Sequence, residues 1–293
     1  ETRLKTYIKK ELRVILEEFG DKRRCQITSD VISAQAFSDQ DMMPAENVTV
    51  VLSEKGWIKA AKGHEIDSSA LNYKSGDAFL KEAKGRSNKM AFFIDSSGRS
   101  YTLLANSLPS ARGQGEPLTG RLTPPIGAEF IDVVMGDDEQ LVILSSDAGY
   151  GFISTLGDLQ SKTKSGKHAI TLSKEAKTMR LTKVQNLESD YLAVITNRAR
   201  LLIFQVSELP HLSKGKGNKL INIKTDDFVA KEEFLIGLCI IKENQKLRVE
   251  YGNGKKHKQY SFSDLVNFTS HRARKGLTVP GVHGKALGID AID

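Results

Sequence analysis

The sequence predicts an all-β protein, a propeller-like assembly of about five blades preceded by one helix. Three observations carry this. Residues 2–19 hold one apolar stripe at helical spacing, short β-branched and aromatic runs broken by turn residues take over after about residue 47, and these runs recur at a nearly constant interval.

In the first stretch Leu4, Ile8, Leu12, Ile15 and Phe19 lie three or four apart with charged residues between them, and Gly20 supplies a stop. Tyr7 falls on or near the stripe and is expected to pack. Polar Asp21-Lys22-Arg23-Arg24 then leads into Ile27. Residues 1–30 are therefore expected to be a connector helix and linker from the N-terminal part of a longer protein, and residues 31–293 a separate β domain.

The β runs pair as hairpins. Val48-Thr49-Val50-Val51-Leu52 precedes Trp57-Ile58 across Ser53-Glu54-Lys55-Gly56, and Met90-Ala91-Phe92-Phe93-Ile94 precedes Ser100-Tyr101-Thr102-Leu103 across Asp95-Ser96-Ser97-Gly98. Residues 141–144 turn near Gly149 into 150–153, and 192–195 turn at Asn197-Arg198-Ala199 into 201–204. A fifth pair is expected between 238–241 and 247–249, turning near Asn244-Gln245. Repeats starting near residues 48, 90, 141, 192 and 238 cannot each bury an apolar face alone. Radial closure solves that and leaves only short edges.

Behind each hairpin lies a leucine followed by a basic turn that contains glycine. The first is Leu71-Asn72-Tyr73-Lys74-Ser75-Gly76, and the second Leu108-Pro109-Ser110-Ala111-Arg112-Gly113-Gln114-Gly115. The third runs from Leu159 through Lys162, Lys164, Gly166 and Lys167, and the fourth from Leu209-Pro210 through Lys214-Gly215-Lys216-Gly217-Asn218-Lys219. The fifth runs from Leu265 through Arg272, Arg274, Lys275 and Gly276. Glycine lets backbone approach a phosphate and adopt positive φ, while Lys or Arg supplies charge. One such turn is an ordinary surface feature; five in register lay a basic track around the rim, along which duplex DNA must bend. The expected DNA contacts are Lys74, Arg112, Lys162, Lys164, Lys167, Lys214, Lys216, Lys219, Arg272, Arg274 and Lys275.

Charge agrees with a polyanionic partner. The 293 residues carry a net charge of +7, and residues 201–293 hold 15 Lys or Arg against 10 Asp or Glu, whereas 31–110 balance at nine each. At 39% hydrophobic residues the chain can bury a large core. Cys25 and Cys239 stand far apart with no neighbouring ligand, so neither a disulfide framework nor zinc is indicated, and a reducing cytoplasm is expected. The longest apolar stretch, 234–241, is too short to cross a bilayer, so no membrane insertion is expected.

Enzyme readings find little support. Gly113, Gly115 and Gly120 lack a following Gly-Lys-Ser/Thr, and Glu116-Pro117 would repel phosphate and deny an amide. The six histidines show no ligand spacing, and Asp137-Asp138-Glu139 lacks the Asp-x-Asp spacing of a calcium loop and reads as solvated.

The hairpin-plus-basic-turn repeat resembles the C-terminal domain of the A subunits of bacterial type IIA topoisomerases, gyrase and topoisomerase IV, over nearly the whole chain. The stretches 50–64, 107–122 and 209–220 are similar to the topoisomerase IV branch, and Phe19-Gly20-Asp21-Lys22-Arg23-Arg24 to the family's junction with its cleavage domain. The resemblance implies a β-pinwheel, a propeller-like disc whose blades exchange a strand and whose basic outer edge binds and bends duplex DNA without sequence specificity. Gyrase-type members carry a Gln-Arg-Arg-Gly-Gly-Lys-Gly wrapping box. Here the nearest segments, Ala111-Arg112-Gly113-Gln114-Gly115 and Ser213-Lys214-Gly215-Lys216-Gly217, depart from it and point away from gyrase. A gyrase-like wrapping domain and a protein-binding propeller are the alternatives.

The family's cleaving tyrosine follows an arginine, and none of the seven tyrosines here does, so no catalytic residue is expected in this chain. The resemblance implies a parent enzyme that uses ATP and magnesium outside this fragment. It also implies pairing with the B subunit of topoisomerase IV and with a second A subunit through parts not in this chain, and action at the nucleoid.

Overall fold

The computed structural model describes residues 1–21, 45–254 and 256–293. The boundary expected at residues 30 and 31, and Cys25, lie outside the described residues. Two compact units are present, residues 1–39 and 40–293. In the first, a helix spans Thr2–Phe19 with Gly20 as its C-cap in extended backbone, the Gly20 amide donating to Leu16 O at 2.9 Å. It buries none of its residues, so Tyr7, expected to pack, is instead 63% exposed, beside exposed Leu4, Ile8, Leu12, Ile15 and Phe19.

The second unit is all β but for short helical turns. Its strands in chain order are β1 (Asn47–Ser53), β2 (Trp57–Lys62), β3 (Phe79–Arg86), β4 (Met90–Asp95), β5 (Arg99–Leu104), β6 (Glu116–Pro117) and β7 (Phe130–Met135). There follow β8 (Leu141–Ser145), β9 (Tyr150–Thr155), β10 (Lys167–His168), β11 (Thr182–Lys183), β12 (Tyr191–Thr196), β13 (Arg200–Gln205) and β14 (Asn218–Lys219). The last are β15 (Leu235–Ile241), β16 (Lys246–Tyr251), β17 (Lys256–Ser261), β18 (Leu277–Thr278) and β19 (Ala286–Ile292).

These form five antiparallel blades with strand orders β3-β1-β2-β6, β10-β5-β4-β7, β11-β8-β9-β14, β15-β12-β13-β18 and β17-β16-β19. In the second to fifth repeats the chain leaves the hairpin, adds a two-residue strand to the outer edge of the preceding blade, and returns as the inner strand of its own. Thus β6 joins blade 1, β10 blade 2, β14 blade 3 and β18 blade 4. This is the strand exchange of a pinwheel. Blade 5 has three strands, because among the described residues no further arm adds a fourth.

Four of the five expected hairpins form as read. The fifth does not: the 235–241 run is the inner strand of blade 4, paired with β12, and the blade 5 hairpin is β16 with β17. The sequence pattern misled because Lys256-His257-Lys258-Gln259 is an exposed strand with no apolar alternation, whereas 235–241, two strands earlier, is strongly apolar.

Packing explains why the first hairpin strands read as unbroken apolar runs. Side chains alternate across a strand, and here each face meets a neighbouring blade. On β4, Ala91 and Phe93 pack with blade 1, whereas Phe92 and Ile94 pack with blade 3. On β12, Leu192 and Val194 face blade 3 while Ala193 and Ile195 face blade 5. Four apolar clusters thus join consecutive blades. Among the described residues none joins blade 5 to blade 1. The inner strands line a cavity of about 740 Å³ that includes Lys81, Lys183, Cys239 and Asp290.

The repeat leucines Leu108, Leu159, Leu209 and Leu265 are buried in these clusters and anchor the start of each exchanged arm. Four of the turn glycines have the expected positive φ and a packing role beside it. Gly115, Gly166, Gly217 and Gly276 all have φ between +72° and +87°, and a Cβ on them would meet the outer hairpin strand of the preceding blade. At Gly115 it would lie 2.4 Å from Ile58 O, at Gly217 2.2 Å from Gly151 O, and at Gly276 2.8 Å from Leu201 O. At Gly166 the obstacle is the Tyr101 ring at 2.5 Å. These glycines dock the exchanged arm. Gly113, two residues before Gly115, has nothing within 4 Å.

Gly217→Ala should therefore lower Tm by at least about 3 °C, since left-handed backbone alone costs an alanine about 1–2 kcal/mol. Gly113→Ala should leave Tm within about 1 °C. Thermal unfolding of the two variants side by side checks this, and equal Tm values would refute the docking role.

Asp132 on β7 is fully buried; its carboxylate accepts the amides of Val133 at 2.9 Å and Leu181 at 2.8 Å. Burial pushes its pKa up to about 6, against the opposing pull of Lys81, these amides and Arg180. A carboxyl whose folded pKa exceeds its unfolded value stabilises the fold below the unfolded pKa. That contribution, about 3 kcal/mol here, is lost as pH rises through about 6. Urea unfolding at pH 4 and pH 8 should show Asp132→Asn losing less stability than the parent across this interval; parallel curves would contradict the assignment.

Candidate nucleic-acid interface

Each exchanged arm is held at two points on the preceding blade. The first is near its start: Ala60 N donates to Pro109 O and Ala111 N to Ala60 O, and in the third arm Ile153 N donates to Pro210 O and Leu212 N to Ile153 O. The second arm uses Ser161 N to Thr102 Oγ1 at 3.0 Å, and the fourth Ser270 N to Ile203 O at 2.9 Å. The second point is the short strand β6, β10, β14 or β18. Between the two, residues 112–115, 162–166, 213–217 and 271–276 loop outward, pinned at both ends.

Most of the expected contact residues stand on these loops. Arg112, Lys162, Lys164, Lys214, Lys216, Arg274 and Lys275 are exposed, and none has an ion pair among the described residues. The arms are also bonded to one another. Thr123 N donates to Lys164 O, Gly215 N to Ala169 O and Thr171 N to Gly215 O, Ala273 N to Leu220 O and Asn222 N to Arg274 O. The four loops are therefore links in one backbone belt along the outer edges of blades 1 to 4.

Other expected residues are engaged by the protein. Lys167 Nζ donates to Asp158 O, and Lys219 Nζ to Asn222 Oδ1 at 3.1 Å. Arg272 straps two arms together, with Nε on Glu208 O at 3.1 Å and Nη1 on Lys219 O at 3.5 Å. Lys216 Nζ lies 4.1 Å from the Tyr150 ring centroid and Lys74 Nζ 4.8 Å from that of Trp57, which restrains both ammonium groups at the surface. Lys74 differs from the rest in origin, because its turn joins β2 to β3 within blade 1 and is not an exchanged arm.

The belt recruits residues that the turn pattern passed over. Arg99 Nη1 donates to Ser165 O at 2.9 Å and fixes the second loop. In the blade 4 hairpin, Arg198 and Arg200 flank Ala199, whose φ of +55° occupies the place glycine holds at Gly56, Gly98 and Gly149. Their signal was one of position: two arginines beside a turn residue that lies next to the arm carrying Lys275. Asp137 is 74% exposed and pairs with Lys89 at 2.9 Å. Among the described residues no helix is long and apolar enough to cross a membrane.

Known proteins share this architecture. The family described as the DNA gyrase C-terminal domain, beta-propeller, matches residues 140–184 and 190–231, the hairpins of blades 3 and 4 with the chain that follows them. The A subunit of DNA topoisomerase 4 from Pseudomonas aeruginosa is 47% identical over 280 residues, 96% of this chain and 37% of that protein. The chain thus spans little more than a third of the length of that relative. A solved structure described as a crystal structure of the C-terminal domain of DNA topoisomerase IV has a TM-score of 0.70 at 15% identity, covers 86% of this chain and 79% of its own, and shares the fold. The solved C-terminal domain of Escherichia coli ParC matches with a TM-score of 0.76 at 42% identity, covering 85% of this chain and 99% of that domain. Its blades, exchanged arms and sequence place this chain in the family of C-terminal domains of topoisomerase IV A subunits, within the wider gyrase C-terminal domain family.

Proposed function

We propose that this chain binds duplex DNA along the belt, bends it without reading its sequence, and positions the bound segment for a type II topoisomerase reaction. That reaction, ATP-dependent decatenation and supercoil relaxation, is assigned to residues outside this chain, acting with a B subunit and a second A subunit at the nucleoid. The observation that carries the reading is the belt itself: seven exposed cations, without ion pairs among the described residues, on loops at matched positions of four consecutive arms.

The chemistry follows from the loops. Lys and Arg at a solvated edge neutralise phosphates and release condensed counterions, a term independent of sequence. The belt offers no helix or long ribbon to enter a major groove, so base readout contributes little. Loops pinned at both ends are ordered before DNA arrives, which lowers the entropic cost of ordering them on binding. Following successive blade edges obliges the duplex to curve, and bending a 20–30 bp site costs on the order of 1–6 kcal/mol, offset by added phosphate contacts.

Fluorescence anisotropy with a labelled duplex of arbitrary sequence, titrated at several salt concentrations, tests this. The log of the affinity should fall against the log of salt with a slope of about −4 or steeper, because each neutralised phosphate contributes about −0.9. Absence of binding at low salt would overturn the reading. Replacing Lys214, Lys216 and Lys219 together by Glu should weaken binding to unrelated duplexes by similar factors. Unchanged affinity in that folded variant would remove the third exchanged arm from the interface.

A further inference from the structure

Blade 4 contains a basic cavity that differs from the loops in having a buried arginine in its wall. It measures about 400 Å³ and is bounded by the β12–β13 turn with Arg198 and Arg200, by Lys224 after β14, and by Lys275 before β18. Arg200 is 9% exposed. Its Nε and Nη2 are both taken by the buried carboxylate of Glu233, and its Nη1 is buried with no hydrogen-bond partner among the described residues. Buried donors are almost always satisfied, so an orphan guanidinium nitrogen in a cavity wall is a donor suited to an incoming acceptor.

The charge balance says which acceptor. Of the two carboxylates in the wall, Glu233 is held by Arg200, and Asp227 lies 4.0 Å from Arg198, whose other nitrogen pairs with Glu232 at 2.7 Å. Lys224 and Lys275 are exposed and have no ion pair among the described residues. Counting Glu232, four cations thus meet three carboxylates, which leaves a surplus of one positive charge around one concave space, with Lys224 and Lys275 free to meet an anion. A guanidinium nitrogen left without a partner, with ammonium groups beside it, suits a compact tetrahedral anion with several acceptor oxygens.

The geometry points to a phosphate-binding pocket formed by Arg198, Arg200, Lys224 and Lys275. Lys275 also ends the fourth basic loop, so a backbone phosphate of duplex DNA following the belt is one source of the anion, and this arm rests on the DNA-binding reading above. A free phosphorylated small molecule is the other. Both present the same chemistry to the pocket.

The test follows the side-chain Nε–H signals of Arg198 and Arg200 by NMR in the whole chain, titrated separately with inorganic pyrophosphate and with a duplex of arbitrary sequence. Pyrophosphate should shift both signals saturably. Because replacing Arg200 would strand Glu233 unpaired, the variant of choice is Lys224→Ala with Lys275→Ala, both exposed; it should weaken pyrophosphate binding by about tenfold or more. If duplex moves the same signals and pyrophosphate competes with it, the occupant is backbone phosphate. If duplex binds and leaves them still while pyrophosphate saturates them, the pocket takes a free phosphorylated ligand. Silence towards both titrants, or undiminished pyrophosphate affinity in the double variant, overturns the pocket. Silence in a chain that still binds duplex by anisotropy leaves the DNA reading standing, whereas saturation by pyrophosphate in a chain that binds no duplex overturns the DNA reading alone.

Discussion

The second unit depends on the docking of each exchanged arm against the blade before it. A blade of three strands would present an open outer edge, and open edges invite pairing with other chains. The arm closes that edge with a two-residue strand, and it fits only because Gly115, Gly166, Gly217 and Gly276 bring the backbone against the neighbour with positive φ and no side chain. Docking then has a second effect: by fixing 112–115, 162–166, 213–217 and 271–276 at both ends, it turns what would be mobile basic tips into ordered ones. The constraint that completes the sheets is the one that shapes the surface.

Exchange is directional, and its direction leaves blades 1 and 5 unequal. Each donated strand comes from the following repeat, so among the described residues blade 5 receives none and β17 keeps an uncovered edge. That strand is Lys256-His257-Lys258-Gln259 before the buried Tyr260, with the charged positions exposed, a composition that discourages edge-to-edge pairing. Blade 1 supplies no exchanged arm, which is why its Lys74 turn sits within its own blade. The four apolar clusters run from blade 1 to blade 5 without joining the two, so cohesion passes along a row of interfaces.

Charge is arranged on this frame with a division of labour. Among the described residues the cations at the loop tips have no ion pair, whereas those at the loop bases are used to hold the frame: Arg272 bridges Glu208 and Lys219, Arg99 fixes Ser165, and Lys167 caps Asp158. A positive residue in a basic turn is therefore not automatically a ligand contact. Its hydrogen-bond partners decide whether its charge faces solvent or the fold.

Local sequence determined much of this protein. β-branched runs such as Val48-Thr49-Val50-Val51-Leu52, turn residues and their recurrence identified the hairpins of blades 1 to 4, and the leucine before four of the five basic turns marked the arms, because these features are set within a few residues. Tertiary structure alone decided which strands pair across repeats. Nothing local distinguishes residues 235–241 as the inner strand of blade 4 from the first strand of a fifth hairpin, since both are short apolar runs before a turn. The same holds for the glycines: φ near +73° suits a turn, but whether the space above it is occupied by a phosphate or by Gly151 O depends on a strand more than sixty residues away. It also holds for Arg200, whose surroundings are assembled from β13, the segment after β14 and the loop before β18. A linear sequence records side chains and local backbone preference, whereas the partners that close an edge or surround a charge are fixed only when distant segments meet.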